Sequence, residues 1–143
     1  MPQTFTPPDP NYENRIRASF GEQKAMQTIG ATLGSVHPGE VSIELPYSEH
    51  ITQQDGFLHA GIVTTIADSA CGYAAFSLMP ANSRVLSVEF KVNLLAPAIG
   101  EGFIAIGKVI KAGRTLTVCS GEVLAFQGGE SKLVALMQAT MIR

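Results

Sequence analysis

One carboxylate stands apart in the stretch from Gln53 to Gly72. Asp68 lies in a run from Ala60 to Gly72 that is otherwise made of small, hydroxylated and apolar residues. A charge in such company costs free energy unless it is paired, hydrogen-bonded or put to use. Nine residues earlier is His59, followed by Ala60 and Gly61, just after the turn residues Asp55-Gly56 and where a helix can begin. The N–H groups of a first helical turn have no carbonyl behind them and sit at the positive end of the helix dipole. Donors of that kind stabilise the oxyanion formed when an ester or thioester carbonyl is attacked. These residues point to acyl transfer, the alternative being a structural carboxylate bonded to a neighbouring hydroxyl.

Spacing limits how the groups cooperate. Ala60 and Asp68 are separated by ~12 Å along one helix, at ~1.5 Å per residue, so they cannot serve the same carbonyl. If both act, a second copy of the helix must run antiparallel to the first, so that each Ala60 amide meets the partner's Asp68. A two-fold dimer makes that arrangement twice.

The element carrying them is expected to be a helix over residues 60–79, with no breaker before Met79-Pro80. At ~100° per residue, Ile62, Ile66, Ser69, Tyr73 and Phe76 form a bulky stripe. Asp68 shares another side with Gly61, Thr64, Thr65, Gly72 and Ala75, small enough for a backbone or an extended ligand to lie close. Upstream, the prolines of residues 1–10 suit a flexible or extended arm. Tyr12, Ile16, Phe20, Met26 and Ile29 predict an amphipathic helix over 11–29 that covers a sheet edge or the mouth of a pocket.

The remaining chain reads as strands. Residues 31–36 and 40–46 form a hairpin around His37-Pro38-Gly39, and further strands span 84–94, 103–111, 114–127 and 132–142, joined by hairpin-length turns. In the first of these later strands Leu86, Val88, Phe90, Val92 and Leu94 alternate with Ser87, Glu89, Lys91 and Asn93, which places Ser87 on the polar face. Lys108, Lys111 and Arg114 gather around the Ala112-Gly113 turn between the next two strands, where basic side chains can meet phosphates. One α+β domain over 1–143 results, an antiparallel sheet wrapped around a central helix.

Gln53, Gly56, the Leu58-His59-Ala60-Gly61 run, Asp68 and Gly72 resemble the signature of hotdog-fold acyl-CoA thioesterases of the phenylacetate-pathway (PaaI-like) type, within the 4-hydroxybenzoyl-CoA thioesterase superfamily. Leu86-Ser87-Val88-Glu89-Phe90, Leu95-Ala96-Pro97-Ala98 and the segment from Val109 to Leu116 continue the likeness, from about residue 30 to the end. The resemblance implies the hotdog fold and hydrolysis of medium-chain or aryl acyl-CoA. It gives Asp68 the role of nucleophile or general base and the Ala60 amide, with Gly61, that of oxyanion donor. The family often has Gly where this chain has Ala60, and the amide survives that change. Gln53 would orient substrate or water, Ser87 the attacking water, and His59 would shape the loop. Gly61, Thr65, Lys108, Lys111 and Arg114 are the expected substrate contacts, with no cofactor. Subunits are expected to pair as homodimers with shared sites, and as homotetramers by pairing of dimers.

Composition narrows the field. Ten basic against 12 acidic residues, net charge −2, leave no nucleic-acid footprint. His37, His50 and His59 are scattered away from Cys71 and Cys119, without metal spacing, and no GxGxxG is present. Met1-Pro-Gln-Thr does not open a secretory signal and Asp68 argues against a membrane span, so a cytoplasmic protein with free thiols is expected. Two other readings remain: a hotdog hydratase or dehydratase, for which no second acid or base accompanies Asp68, and a non-catalytic acyl-CoA sensing module.

Overall fold

The computed structural model describes residues 3–143. Two short helices, α1 (Tyr12–Glu22) and α2 (Lys24–Ile29), precede the hairpin β1 (Thr32–His37) and β2 (Glu40–Pro46). The central helix α3 (Ala60–Phe76) follows, then β3 (Leu86–Leu94), β4 (Gly102–Ala112), β5 (Leu116–Gln127) and β6 (Glu130–Ile142). All strand pairs are antiparallel, in the order β1-β2-β4-β5-β6-β3, so β3 is an edge strand. The sheet curls around α3, the hotdog arrangement expected from the pattern of the chain.

The sheet and helix meet through small residues. Ala67, Ala70, Cys71 and Ala74 of α3 are fully buried, and they face Gly107 of β4 and Gly121 of β5, which are partners across the ladder. A Cβ on Gly107 would overlap the carbonyl of Ala70, and one on Gly121 would come within 2.9 Å of Cys71 Sγ. The close backbone approach expected along α3 is thus on this alanine face. Ala75, expected beside Asp68, is fully buried as well. Gly107→Ala is expected to cost about 3 kcal/mol, the upper part of the range for overpacking, since the obstacle is main chain. Gly21→Ala on α1, where the added methyl meets nothing, should be neutral or stabilising by up to about 1 kcal/mol. Urea unfolding of the two variants reads the contrast.

The helix expected over 11–29 is broken at Gln23, whose backbone is extended (φ −81°, ψ 96°). Ile16 and Met26 are both buried, yet ten residues of unbroken helix would turn them ~80° apart. The kink resets the phase so that both reach the core. The central helix stops at Phe76 rather than residue 79: Leu78 and Met79 donate only three residues back, to Ala75 and Phe76, and Arg15 of α1 gathers the carbonyls that follow. Its guanidinium donates to the carbonyls of Phe76, Met79 and Pro80 at 2.7–3.0 Å, lies 4.4 Å from the Phe76 ring centre and pairs with Asp9 at 3.4 Å. A cation there also opposes the negative end of the helix dipole. Residues 3–10 run without helix or strand and Phe5 rests against Gly39; Met1 and Pro2 of the expected arm lie outside the described residues. Among the described residues no helix is long and apolar enough to cross a membrane.

Candidate active site

The loop before α3 is organised by Gln53. Its Oε1 accepts the N–H groups of Asp55 and Phe57 at 2.6 and 3.1 Å, while its backbone exchanges bonds with Phe57 and Gly56. Gly56 adopts φ 85°, a conformation that glycine takes without strain. With Oε1 occupied, the side-chain NH₂ is the free end of Gln53. The Leu58 N–H is held by the Ala98 carbonyl and the His59 N–H by that of Ile51, which fixes where α3 starts.

His59 is the N-cap of α3. Its Nδ1 accepts the Gly61 N–H at 2.8 Å, so in the neutral ring Nε2 carries the proton. Ile62 and Val63 donate to the His59 carbonyl. The Gly61 amide, expected as a second oxyanion donor, is therefore already taken. Ala60 N–H has no acceptor among the described residues, and it stands at the positive end of the helix.

On α3, Asp68 is half-buried and its Oδ1 accepts a hydrogen bond from Ser87 Oγ at 2.6 Å. This contact corrects the expected facing of β3. A bulge between Ser87 and Glu89 breaks the alternation, and Ser87 pairs with Met141 just as Phe90 and Val92 pair with Ala139 and Met137, all buried inward-facing residues. Ser87 thus shares the inner face with Phe90 and Val92, and Met141 Sδ lies 3.2 Å from its hydroxyl. A cleft of about 260 Å³ opens beside this pair, with Ser19 and Gln23 on one wall and Val85 and Leu86 on the other. The N-terminal element contributes to a pocket mouth, as its amphipathic pattern led one to expect.

A second cleft, about 370 Å³, holds Gln53 and Ala60 between Phe57, Leu94, Leu95 and Pro97. The two clefts sit at opposite ends of β3, one beside Leu86 and Ser87, the other beside Leu94. Residues 87 and 94 are ~23 Å apart at ~3.3 Å per strand residue. Asp68 and Ser87 are thus brought together, as are Ala60 and Gln53, but the two pairs lie apart within one chain.

Thr65 lines neither cleft, and its hydroxyl donates back to the Gly61 carbonyl at 2.7 Å. Lys108 does not belong to the turn cluster: it sits mid-strand opposite Glu40, at 3.7 Å from that carboxylate. Lys111 and Arg114 are exposed at the β4–β5 hairpin. Leu116, Ile142 and Leu86 stand in one row across β5, β6 and β3, which places that hairpin at the same end of the sheet as Ser87. Arg143, whose N–H donates to Thr115, and Arg84, two residues before β3, end at that same rim. The sequence reading missed both arginines, since only strand register gathers them.

Burial raises the Tyr73 hydroxyl above its ordinary pKa, partly offset by its 3.2 Å hydrogen bond with Ser19 Oγ, with Glu22 adding to the rise. Burial likewise pushes the Cys119 thiol up to about 12 and Cys71 higher still, helped there by Cys119 and Asp68. Both cysteines are free, buried and protonated, which makes neither a nucleophile.

Comparison with known proteins identifies the family. Residues 55–132 match the model of the Thioesterase superfamily. A crystal structure of a thioesterase family protein from Silicibacter pomeroyi is 52% identical, covering 92% of this chain and 96% of that one, with a TM-score of 0.91. Human acyl-coenzyme A thioesterase 13 is 32% identical over 93 residues, 64% of this chain and 66% of the relative. The Escherichia coli PaaI protein shares the fold at 19% identity, with a TM-score of 0.83 over 93% of each chain. The chain belongs to the Thioesterase superfamily and is a thioester hydrolase with the hotdog fold.

Proposed function

We propose that the protein hydrolyses acyl-CoA thioesters at sites built by two copies of the chain. The observation that carries this reading is the placement of two half-sites at the ends of one exposed edge strand. Phe90, Leu94 and Leu95 are 45–53% exposed on or just after β3, beside a row of unpaired backbone groups, and such an edge is a template for another strand. Two-fold antiparallel pairing of β3 with its copy, centred near Phe90 and Lys91, sets the Ser87 end of one strand against the Leu94 end of the other. Each Asp68 then faces the Ala60 amide and Gln53 of the partner. The side of α3 bearing Gly61, Thr65, Asp68 and Gly72 also turns toward the partner helix, and nothing lies within 4 Å of Gly72's missing Cβ in the single chain.

In this assembly Asp68, steered by Ser87, acts on the thioester carbonyl as nucleophile or as base for water. The Ala60 N–H takes the developing oxyanion, with the Gln53 NH₂ as companion donor; one such donor is worth on the order of 10²–10³ in rate. His59 serves by holding the helix start in register. Arg84, Lys111, Arg114 and Arg143 form a basic rim beside the Asp68 cleft for the phosphates of CoA, a role the name of the human relative supports. On the outer face of the sheet, Ile104, Leu124 and Leu133 stand in register across β4, β5 and β6, an apolar patch on which dimers pair into tetramers. The free thiols suit a reducing cytoplasm.

The test is hydrolysis of a panel of short, medium-chain, long and aryl acyl-CoAs, followed by subunit mixing. Asp68→Asn and Ala60→Trp, each inactive alone, should regain roughly a quarter of wild-type turnover after random mixing, since half the dimers are mixed and each of those holds one intact site. Mixtures as inactive as the parents would end the shared-site account.

A further inference from the structure

The wall of the Asp68 cleft supplied by α1 has no part in the chemistry above, and its construction is specific. Arg15 and Ser19 lie four residues apart on the face of α1 that turns toward α3, and Gln23, the residue that ends the helix, follows four further on. Arg15 binds the three carbonyls at the end of α3 and the loop that leads to β3, so it fixes α1 relative to the opposite wall, Val85 and Leu86. Ser19 Oγ meets Tyr73 Oη at 3.2 Å, and the ring of Tyr73 packs on Phe20 with centroids 5.9 Å apart. Gln23 stands at the kink between α1 and α2, where its Oε1 lies 3.4 Å from Ser69 Oγ.

We propose that Gln23 and Ser19, backed by Tyr73, are the specificity-determining end of the acyl slot, restricting this enzyme to short or single-ring acyl groups. The inference rests on the Asp68 site proposed above and adds which part of the substrate lies there. Asp68 and Tyr73 are five residues apart on α3, so a chain leaving the reacting carbonyl along the helix meets Tyr73 after ~7–8 Å. Ser19 and Gln23 close the slot from the side. In the single chain this cleft measures about 260 Å³, below the ~300–1,000 Å³ of pockets for drug-sized ligands. A six-carbon chain or one ring with its carbonyl spans the ~7–8 Å from Asp68 to Tyr73, and a dodecanoyl chain overruns it. The kink at Gln23 that completes the core packing of Ile16 and Met26 therefore also sets the stop.

The experiment measures kcat/KM for hexanoyl-, phenylacetyl- and dodecanoyl-CoA with wild type, Gln23→Ala, Gln23→Met, Ser19→Leu and Asp68→Asn. Wild type should prefer hexanoyl- or phenylacetyl-CoA over dodecanoyl-CoA by tenfold or more. Gln23→Ala should shift the dodecanoyl-to-hexanoyl ratio upward at least fivefold, Gln23→Met, which restores bulk without the amide, should return it toward wild type, and Ser19→Leu should depress phenylacetyl-CoA most. A mere loss of stability lowers all substrates together and leaves the ratios alone. Ratios unmoved by all three wall variants, or a wild type that prefers dodecanoyl-CoA, overturn the proposal. If those ratios stay fixed while Asp68→Asn abolishes turnover, only the acyl wall is wrong; if Asp68→Asn is as active as wild type, the underlying site is wrong.

Discussion

Asp68→Asn is expected to lower kcat/KM for acyl-CoA by ~10²–10⁴, the range for loss of a positioned base or nucleophile, with the fold intact. Asparagine keeps the shape of the side chain, and its Oδ1 still accepts from Ser87 Oγ, the bond that holds Asp68 at 2.6 Å. Thermal melting should therefore move little while turnover collapses. Ser87→Ala removes that hydrogen bond and leaves the carboxylate, so a loss of about tenfold is expected, equivalent to ~1.4 kcal/mol in the transition state. Steady-state kinetics on the best substrate of the panel, with circular dichroism as the folding check, reads both. An active and folded Asp68→Asn dimer would remove Asp68 from the chemistry.

Phe90→Glu should do comparable damage from a position that touches no reacting atom. Phe90 is 45% exposed in the single chain and faces inward near the midpoint of β3. Antiparallel pairing brings it close to its own copy, and two carboxylates opposed across a strand pair repel where two rings would attract. The expected product is a folded monomer by light scattering, with turnover below ~1% of wild type, because each chain then owns only half of a site. A fully active monomer, or a dimer that persists at full affinity, would show that β3 is not the working interface.

Much of this arrangement was legible from the chain. The His59-Ala60-Gly61 start, the lone Asp68 and the ~12 Å between them foretold both the polarity of the helix and the separation of Ala60 from Asp68 within one chain, because helix geometry follows directly from residue count. The strands declared themselves by alternation. What escaped was non-local. The bulge after Ser87 is a property of its ladder with β6, and it moved that hydroxyl from the polar face onto Asp68. The Gly107 and Gly121 pair gains its meaning from Ala70 and Cys71, which press on it from α3. Lys108 left the basic cluster because Glu40 stands opposite it, and Arg84 and Arg143 joined because three strands end together. The occupied Gly61 amide depends on which way an imidazole turns, which no spacing rule prescribes.

The unpaired donor at the start of α3 is a main-chain group, and that shapes how the enzyme would appear in mutational scanning. Nineteen replacements exist at position 60, and eighteen keep the N–H; an alanine scan skips the position altogether. Proline is the exception, and the first helical position is where a helix accepts it most readily. His59 already holds the extended backbone (φ −60°, ψ 137°) that a following proline demands. In the proposed site the most economical lesion is thus a folded, well-behaved imino-acid variant at position 60.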